Sequence, residues 1–293
     1  MGDGTMKFPV LFESADKASN TSQRNFLWLI RLEYFFLFLA AIFSLGLSEA
    51  RSYYIAYAGV LLASMALMAY RSLKKPEKTW YRARALAESV KTLTWRFAMR
   101  AEPFDDDRNA DARKDFRALI RDVLNSNREM SEALGGLKAT GDQLPNEMQT
   151  IREFALEDRK AFYLNNRVSD QRAWYEKKAA SNKKAAQVWF WVSCVAYALG
   201  LFFVITRIVD PSYVGWPTEP LVVVASAIVG WTQIKKFNEL AAAYSLTAQE
   251  IGLTESLIAD ARTNAAFSAA VNEAELAFSR EHTQWSARQH HGG

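Results

Sequence analysis

The groups that could do chemistry in this 293-residue chain are few and scattered. Its three histidines, His282, His290 and His291, all stand near the C-terminus, far from any nucleophile pattern, and read as tail residues rather than ligands. The single cysteine, Cys194, sits inside an apolar run, so disulfide frameworks and cysteine metal sites are excluded and the thiol reads as packing material. Asp105-Asp106-Asp107 could hold a divalent cation, but an acidic triplet after Pro103-Phe104 fits better as the start of a helix, where carboxylates face the positive end of the helix dipole. There is no Walker-type loop, no Rossmann glycine pattern, no His-Glu-x-x-His and no Cys-x-x-Cys. The expectation is a protein that is not an enzyme, with no catalytic, cofactor-binding or metal-binding residue. Its basic residues stand at the edges of apolar runs rather than on an aromatic-studded face, which argues against nucleic acid as a partner.

The polar groups left to consider lie inside apolar sequence. Arg31 and Glu33 interrupt the first long apolar run, and Ser44, Ser64, Ser193, Thr206, Ser226 and Thr232 are spread thinly through this and later ones. A charge in a membrane segment marks a functional candidate, lining an aqueous path or an interface. Arg31 and Glu33 lie only one to two turns from the start of their run, so the competing reading is that Arg31 snorkels beside Trp28 while Glu33 is neutralised nearby. With so few polar residues one chain cannot enclose a wide wet channel, because an apolar lining gates by dewetting. Conduction would need several subunits, each placing a hairpin on a central axis.

The elements that position these residues are apolar hairpins. Phe26 to Leu47 is almost wholly apolar, Glu49 to Ser52 forms a break, Ile55 to Tyr70 is apolar again, and Arg71, Lys74 and Lys75 close the unit. A helix needs about 20 apolar residues to cross roughly 30 Å of hydrocarbon. The grammar returns: Gln187 to Ile208, a turn over Asp210 to Pro220, Leu221 to Ile234, then Lys235-Lys236. The composition, 50% hydrophobic with a net charge of +4 and a mean hydropathy of −0.14, suits a chain partly in lipid. The predicted fold is an all-α membrane protein with two tandem transmembrane hairpins, four spans, and long amphipathic cytoplasmic helices. Lysine is absent from Phe26 to Tyr70 and from Ala185 to Ile234 but dense at the flanks, so both termini and the middle region are expected in the cytoplasm. The first run is too long for a signal-peptide core and is read as retained, and Met6 stands where myristoylation needs Ser or Thr.

Beyond the second run, Trp80, Ala83, Ala87, Val90, Thr94, Phe97 and Ala101 recur at steps of three and four. So do Phe237, Leu240, Tyr244, Thr247, Ile251, Thr254, Ile258 and Ala261 beyond the fourth. Between them, Phe116, Leu119, Ile120, Val123 and Leu124 predict an amphipathic helix reaching Gly135-Gly136. Asn146 to Ala186 predicts one long polar helix burying Met148, Ile151, Ala155, Phe162, Trp174 and Tyr175. Ser14 to Arg24 reads as a polar helical lead with Asn20-Thr21-Ser22 as a cap before the first span. The expected domains are 1–104, 105–186 and 187–293.

The lead Phe8-Pro9-Val10-Leu11-Phe12, the pattern Ala15-Asp16, Ala18-Ser19, Gln23-Arg24, and the later Trp80-Tyr81-Arg82, Glu88, Lys91, Trp95-Arg96 and Pro103-Phe104 around the hairpin resemble the SLATT family of two-span effectors. The resemblance covers nearly the whole chain as two tandem units. It implies a bacterial inner-membrane protein, multi-pass, that forms a homo-oligomer and compromises the lipid bilayer as a pore. The implied trigger is a nucleotide second messenger or its synthase in an antiphage system. These residues carry no recognisable appended nucleotide-sensing domain, so direct ligand sensing by this chain is not expected. The alternative is a non-conducting membrane scaffold docking a cytoplasmic signalling partner. A small transporter fits less well, since broken helices and midplane polar sites are not evident.

Overall fold

The computed structural model describes residues 6–105, 109–130, 141–212 and 215–290, and every regular element among them is helical. In order these are α1 (Val10–Phe43), α2 (Arg51–Lys74), α3 (Pro76–Ala98), α4 (Asn109–Ser126), a short 3-10 turn (Arg128–Met130), α5 (Asn146–Arg152), α6 (Leu156–Tyr163), a π-turn (Leu164–Val168), α7 (Ser169–Val209), α8 (Thr218–Lys235), α9 (Phe237–Asp260) and α10 (Asn264–His290). They fold into two compact units, each discontinuous in sequence. The core unit takes Met1–Gln23, Glu77–Lys178 and Ala243–Gly293, and the hairpin unit takes Arg24–Pro76 and Ala179–Ala242. Each unit therefore draws on both halves of the chain.

In the core unit the two striped faces are buried as their spacing requires. Ala83, Ala87, Val90, Thr94, Phe97 and Ala101 are buried from the first stripe, and Thr247, Ile251, Thr254, Ile258 and Ala261 from the second. One cluster packs Trp95 and Met99 against Tyr163, Tyr175, Ile251, Ile258, Phe267 and Val271. A second packs Leu11, Leu86, Val90 and Phe97 against Phe104, Phe116, Ile120 and Met148. Helix α3 ends in a Schellman turn. Arg100 takes a left-handed φ of 52°, its N–H donates to the Phe97 carbonyl, and the Ala101 N–H reaches back to Arg96.

Three expectations are corrected here. The lead and first span are one helix, α1, running through Asn20-Thr21-Ser22 without a cap; the Asn20 amide donates instead to Asp16 on its own helix. Helix α4 stops at Ser126, and Gly135-Gly136 lie outside the described residues. The segment Asn146 to Ala186 is not one helix. It breaks after Arg152, restarts at Leu156, widens into the π-turn at Leu164–Val168 and then joins the third apolar run inside α7. Ala155, in the break, is exposed. The tail near His282 and His290 continues α10 as far as His290, and His291 lies outside the described residues.

In the hairpin unit, burial is scarce because these helices present apolar side chains outward. Helix α2 has no buried residue, and Phe190, Trp191, Leu201, Phe202 and Ile205 are all exposed. Such faces need lipid, not water, as solvent. Among the described residues three helical stretches are long and apolar enough to cross a bilayer, lying within Val10–Phe43, Arg51–Ala98 and Leu156–Val209. The fourth apolar run is shorter. Helix α8 has 18 residues, and its apolar part from Leu221 to Ile234 spans about 21 Å at 1.5 Å per residue, below the roughly 30 Å of a hydrocarbon core. At the far turn Tyr53 closes α1 onto α2 by donating to the Phe43 carbonyl at 2.8 Å, with Phe43 and Tyr57 stacked at 5.8 Å. At the basic end both exits are made by lysine in the left-handed region: Lys75 at φ 44° after α2 and Lys236 at φ 48° after α8. In each the lysine N–H donates four residues back, to Arg71 and to Thr232. Two non-glycine residues in this conformation, at matching places, give the duplication a backbone signature.

Candidate functional site

The charged end of the hairpin unit holds Arg31 and Glu33, two of the eight polar residues singled out in sequence. Arg71, in the last turn of α2, grips Glu33 on α1 with both ends of its guanidinium: Nε to Oε1 at 2.7 Å and Nη2 to Oε2 at 3.2 Å. Glu33 is well covered, with 13% of its side chain exposed against 29% for Arg71. Arg31 faces elsewhere and lays its guanidinium 5.3 Å from the Trp231 ring centre, while Lys235 approaches the same indole at 5.8 Å. A cation over an aromatic face is attracted by the ring's quadrupole. Two residues apart, Arg31 and Glu33 thus engage different helices, α8 and α2. Gly230 on α8 lies so close to Tyr34 on α1 that a Cβ there would overlap the tyrosine hydroxyl.

The hydroxyls do not form a polar line. Ser44 donates to the Ala41 carbonyl, Ser193 to Trp189, Thr206 to Phe203 and Thr232 to Val229. Each satisfies itself on its own helix, a common habit of Ser and Thr in apolar helices. Ser226 is exposed and Ser64 half-buried. Only Ser193 and Thr232 are brought together. They line an open cleft of about 280 Å³ between α7 and the α8–α9 bend, with Trp189, Phe190, Gln233, Lys236 and Asn238. Among the described residues no cluster of potential metal ligands occurs; Asp105 is exposed, and Asp106 and Asp107 lie outside them. Cys194 is free and half-buried.

What the sequence did not suggest is a set of buried arginines in the core unit. Arg152, Arg159 and Arg167 are each 1–2% exposed, and Glu275 is fully buried. Arg152 and Arg159 cap the end of α3, donating to the carbonyls of Phe97 at 2.8 Å and Met99 at 3.4 Å; Arg159 also donates to Asn264 at 2.6 Å. Cations at a helix C-terminus meet its orphan carbonyls and the negative end of its dipole. Arg167, on the π-turn, makes a bidentate pair with Glu275 of α10 at 2.8 and 2.7 Å, and the Tyr163 hydroxyl donates to the same carboxylate at 2.9 Å. Phe278 and Trp95 cover the guanidinium, 4.8 and 5.8 Å away. Burial works to lower the Arg167 pKa, but Glu275 outweighs it and leaves it raised. Burial, then the Glu275 charge, push the Tyr163 phenol well up.

Burial, and then the Arg167 charge, push the Lys91 amine below 10.5. Arg84 adds to that, while Glu88 and Glu275 oppose it. A lysine whose folded pKa is depressed binds its proton better unfolded, so its unfavourable contribution fades as pH rises toward 10.5. Lys91→Met is therefore expected to raise the thermal unfolding midpoint at neutral pH and to flatten its rise on the alkaline side, read by circular dichroism across pH.

Among the described residues the hairpin unit combines outward-facing apolar helices with a paired charge at one end. Comparison with known proteins agrees with this. A family model for SMODS and SLOG-associating 2TM effector domain 3 matches residues 9–160, and one for SMODS and SLOG-associating 2TM effector domain 1 matches residues 163–285. No curated protein and no solved structure matches. Helices α1 to α3 fall in the first match and α7 to α9 with most of α10 in the second, each with its apolar hairpin and left-handed lysine exit. The chain belongs to the SMODS and SLOG-associating 2TM effector (SLATT) family, carrying two such domains in tandem.

Proposed function

We propose that this chain is a bacterial inner-membrane effector that oligomerises and, when triggered by a nucleotide-signalling antiphage system, opens a pore or disrupts the bilayer. In this reading all four apolar runs span, α8 by thinning the bilayer around its short run, and both termini face the cytoplasm. The observation that carries it is the hairpin unit itself: outward-facing apolar helices, with hydroxyls turned back onto their own backbones. One such unit offers water no path, so permeability comes from several copies meeting. A surface suited to that meeting exists in the core unit, where Leu246, Leu253 and Leu257 of α9 are 63%, 72% and 52% exposed on one helical face. Their steps of seven and four place them in a stripe wanting a partner helix.

The test is dye-loaded liposomes bearing the purified chain. Leakage is expected to rise steeply with protein-to-lipid ratio and to depend on a cytoplasmic nucleotide signal. Intact liposomes around a correctly inserted oligomer would overturn the pore and favour the scaffold. Leu253→Glu leaves folding within about 0.5 kcal/mol, being a surface change. It should shift the detergent-solubilised protein to smaller species and abolish leakage. Unchanged leakage would remove the leucine face from the account.

A further inference from the structure

We propose that the cleft beside Lys236 binds the phosphodiester headgroup of a bilayer lipid, an anionic one most tightly. The cleft is amphipathic in the order a lipid requires. Trp189 and Phe190 form an aromatic wall, Ser193, Thr232, Gln233 and Asn238 supply small polar groups, and Lys236 supplies the cation. It opens because Lys236 breaks the backbone: α8 ends in a left-handed residue and α9 starts anew at Phe237, so the first amides of α9 lack helical acceptors at the rim. Lys236 has one acidic neighbour there, Glu239, at a long 3.5 Å with 64% of its side chain in solvent, which leaves the ammonium able to take a second anion. Lys235, over Phe237 at 6.0 Å, adds positive potential.

Size and surroundings select the occupant. At about 280 Å³ the cleft is smaller than the roughly 300–1,000 Å³ of sites enclosing a whole drug-sized ligand. A headgroup fits if its acyl chains stay outside, and outside is an apolar surface: Val188, Phe190, Trp191 and Val192 are all exposed. An interfacial basic cleft with tryptophan at its wall meets the headgroup layer of a bilayer. The proposal rests on membrane embedding but not on permeability, so binding without leakage would leave it standing while the pore reading falls.

The experiment is native mass spectrometry of the full chain in detergent, titrated with phosphatidylglycerol, phosphatidylcholine or inorganic phosphate. One phosphatidylglycerol should be retained per chain, more tightly than phosphatidylcholine. Lys236→Asn keeps a residue at ease in the left-handed region and removes the charge, and should weaken phosphatidylglycerol about fivefold. Ser193→Phe fills the cleft and should abolish retention of both lipids, while Lys184→Gln, outside it, should change little. Lipid retention unaffected by Ser193→Phe, equal weakening by Lys184→Gln, or displacement of the lipid by inorganic phosphate at equal concentration would each overturn the site. Should Ser193→Phe fail to fold, Lys236→Asn against Lys184→Gln decides alone.

Discussion

Glu275→Ala is expected to destabilise the core unit by about 3–5 kcal/mol, the cost of leaving a buried cation without its partner. Arg167 sits 1% exposed with its guanidinium forked onto that carboxylate and capped by Phe278 and Trp95. Without the carboxylate the buried guanidinium loses both of its charge-assisted bonds, and Glu88 acts on it only through its charge. The unfolding midpoint of the detergent-solubilised chain should fall by about 10 °C at a fixed scan rate. Glu275→Gln, which keeps an acceptor, should cost less, and Tyr163→Phe, which removes one donor to the same carboxylate, about 1.5 kcal/mol. The double change Arg167→Met with Glu275→Leu should recover most of the loss, since a packed apolar pair can equal a buried ion pair. If Glu275→Ala leaves the midpoint within about 2 °C, the triad is not holding α10 in place.

That triad also marks where sequence reasoning stopped. The helical stripes on α3 and α9 were legible because apolar and small residues at steps of three and four have one physical use, and the structure buries them. The lysine clusters at the ends of the apolar runs were legible for a similar reason. An arginine among polar residues reads as solvent-facing, and nothing in the spacing of Arg152, Arg159 and Arg167 says otherwise. Their burial depends on the break at Glu153 to Ala155 and the π-turn, which no glycine or proline announces. The cap expected at Asn20-Thr21-Ser22 was a different failure. Leu11, Ala15, Ala18, Phe26 and Ile30, all buried, keep one helical face straight through it, so the periodicity outweighed the local polar signal. The meeting of Gly230 with Tyr34 was invisible, since a glycine in an apolar run does not name its neighbour.

The second large effect concerns Glu33 and Arg71, and it should be unequal. The two form one bidentate pair, yet their routes to water differ. Arg71 lies in the last turn of α2 beside Lys74, and its long side chain can snorkel to the headgroups if Glu33 is lost. Glu33 is short, 13% exposed at its side chain, and flanked by Leu32, Tyr34, Phe35 and Phe36. Deprived of Arg71 it must either stay charged in an apolar setting or take up a proton. Translocon-based scales set the cost of a charged residue at a span's centre near 3 kcal/mol, which bounds the loss from above. Arg71→Ala should therefore lower the detergent melting midpoint and the fraction correctly inserted, scored by protease protection, well beyond Glu33→Ala, and Arg71→Ala with Glu33→Gln should regain most of the deficit. A path-lining role predicts otherwise: Glu33→Ala would alter leakage in liposomes while insertion stayed normal. Equal damage from both single changes would mean that the pair lies at a depth from which neither partner can reach water.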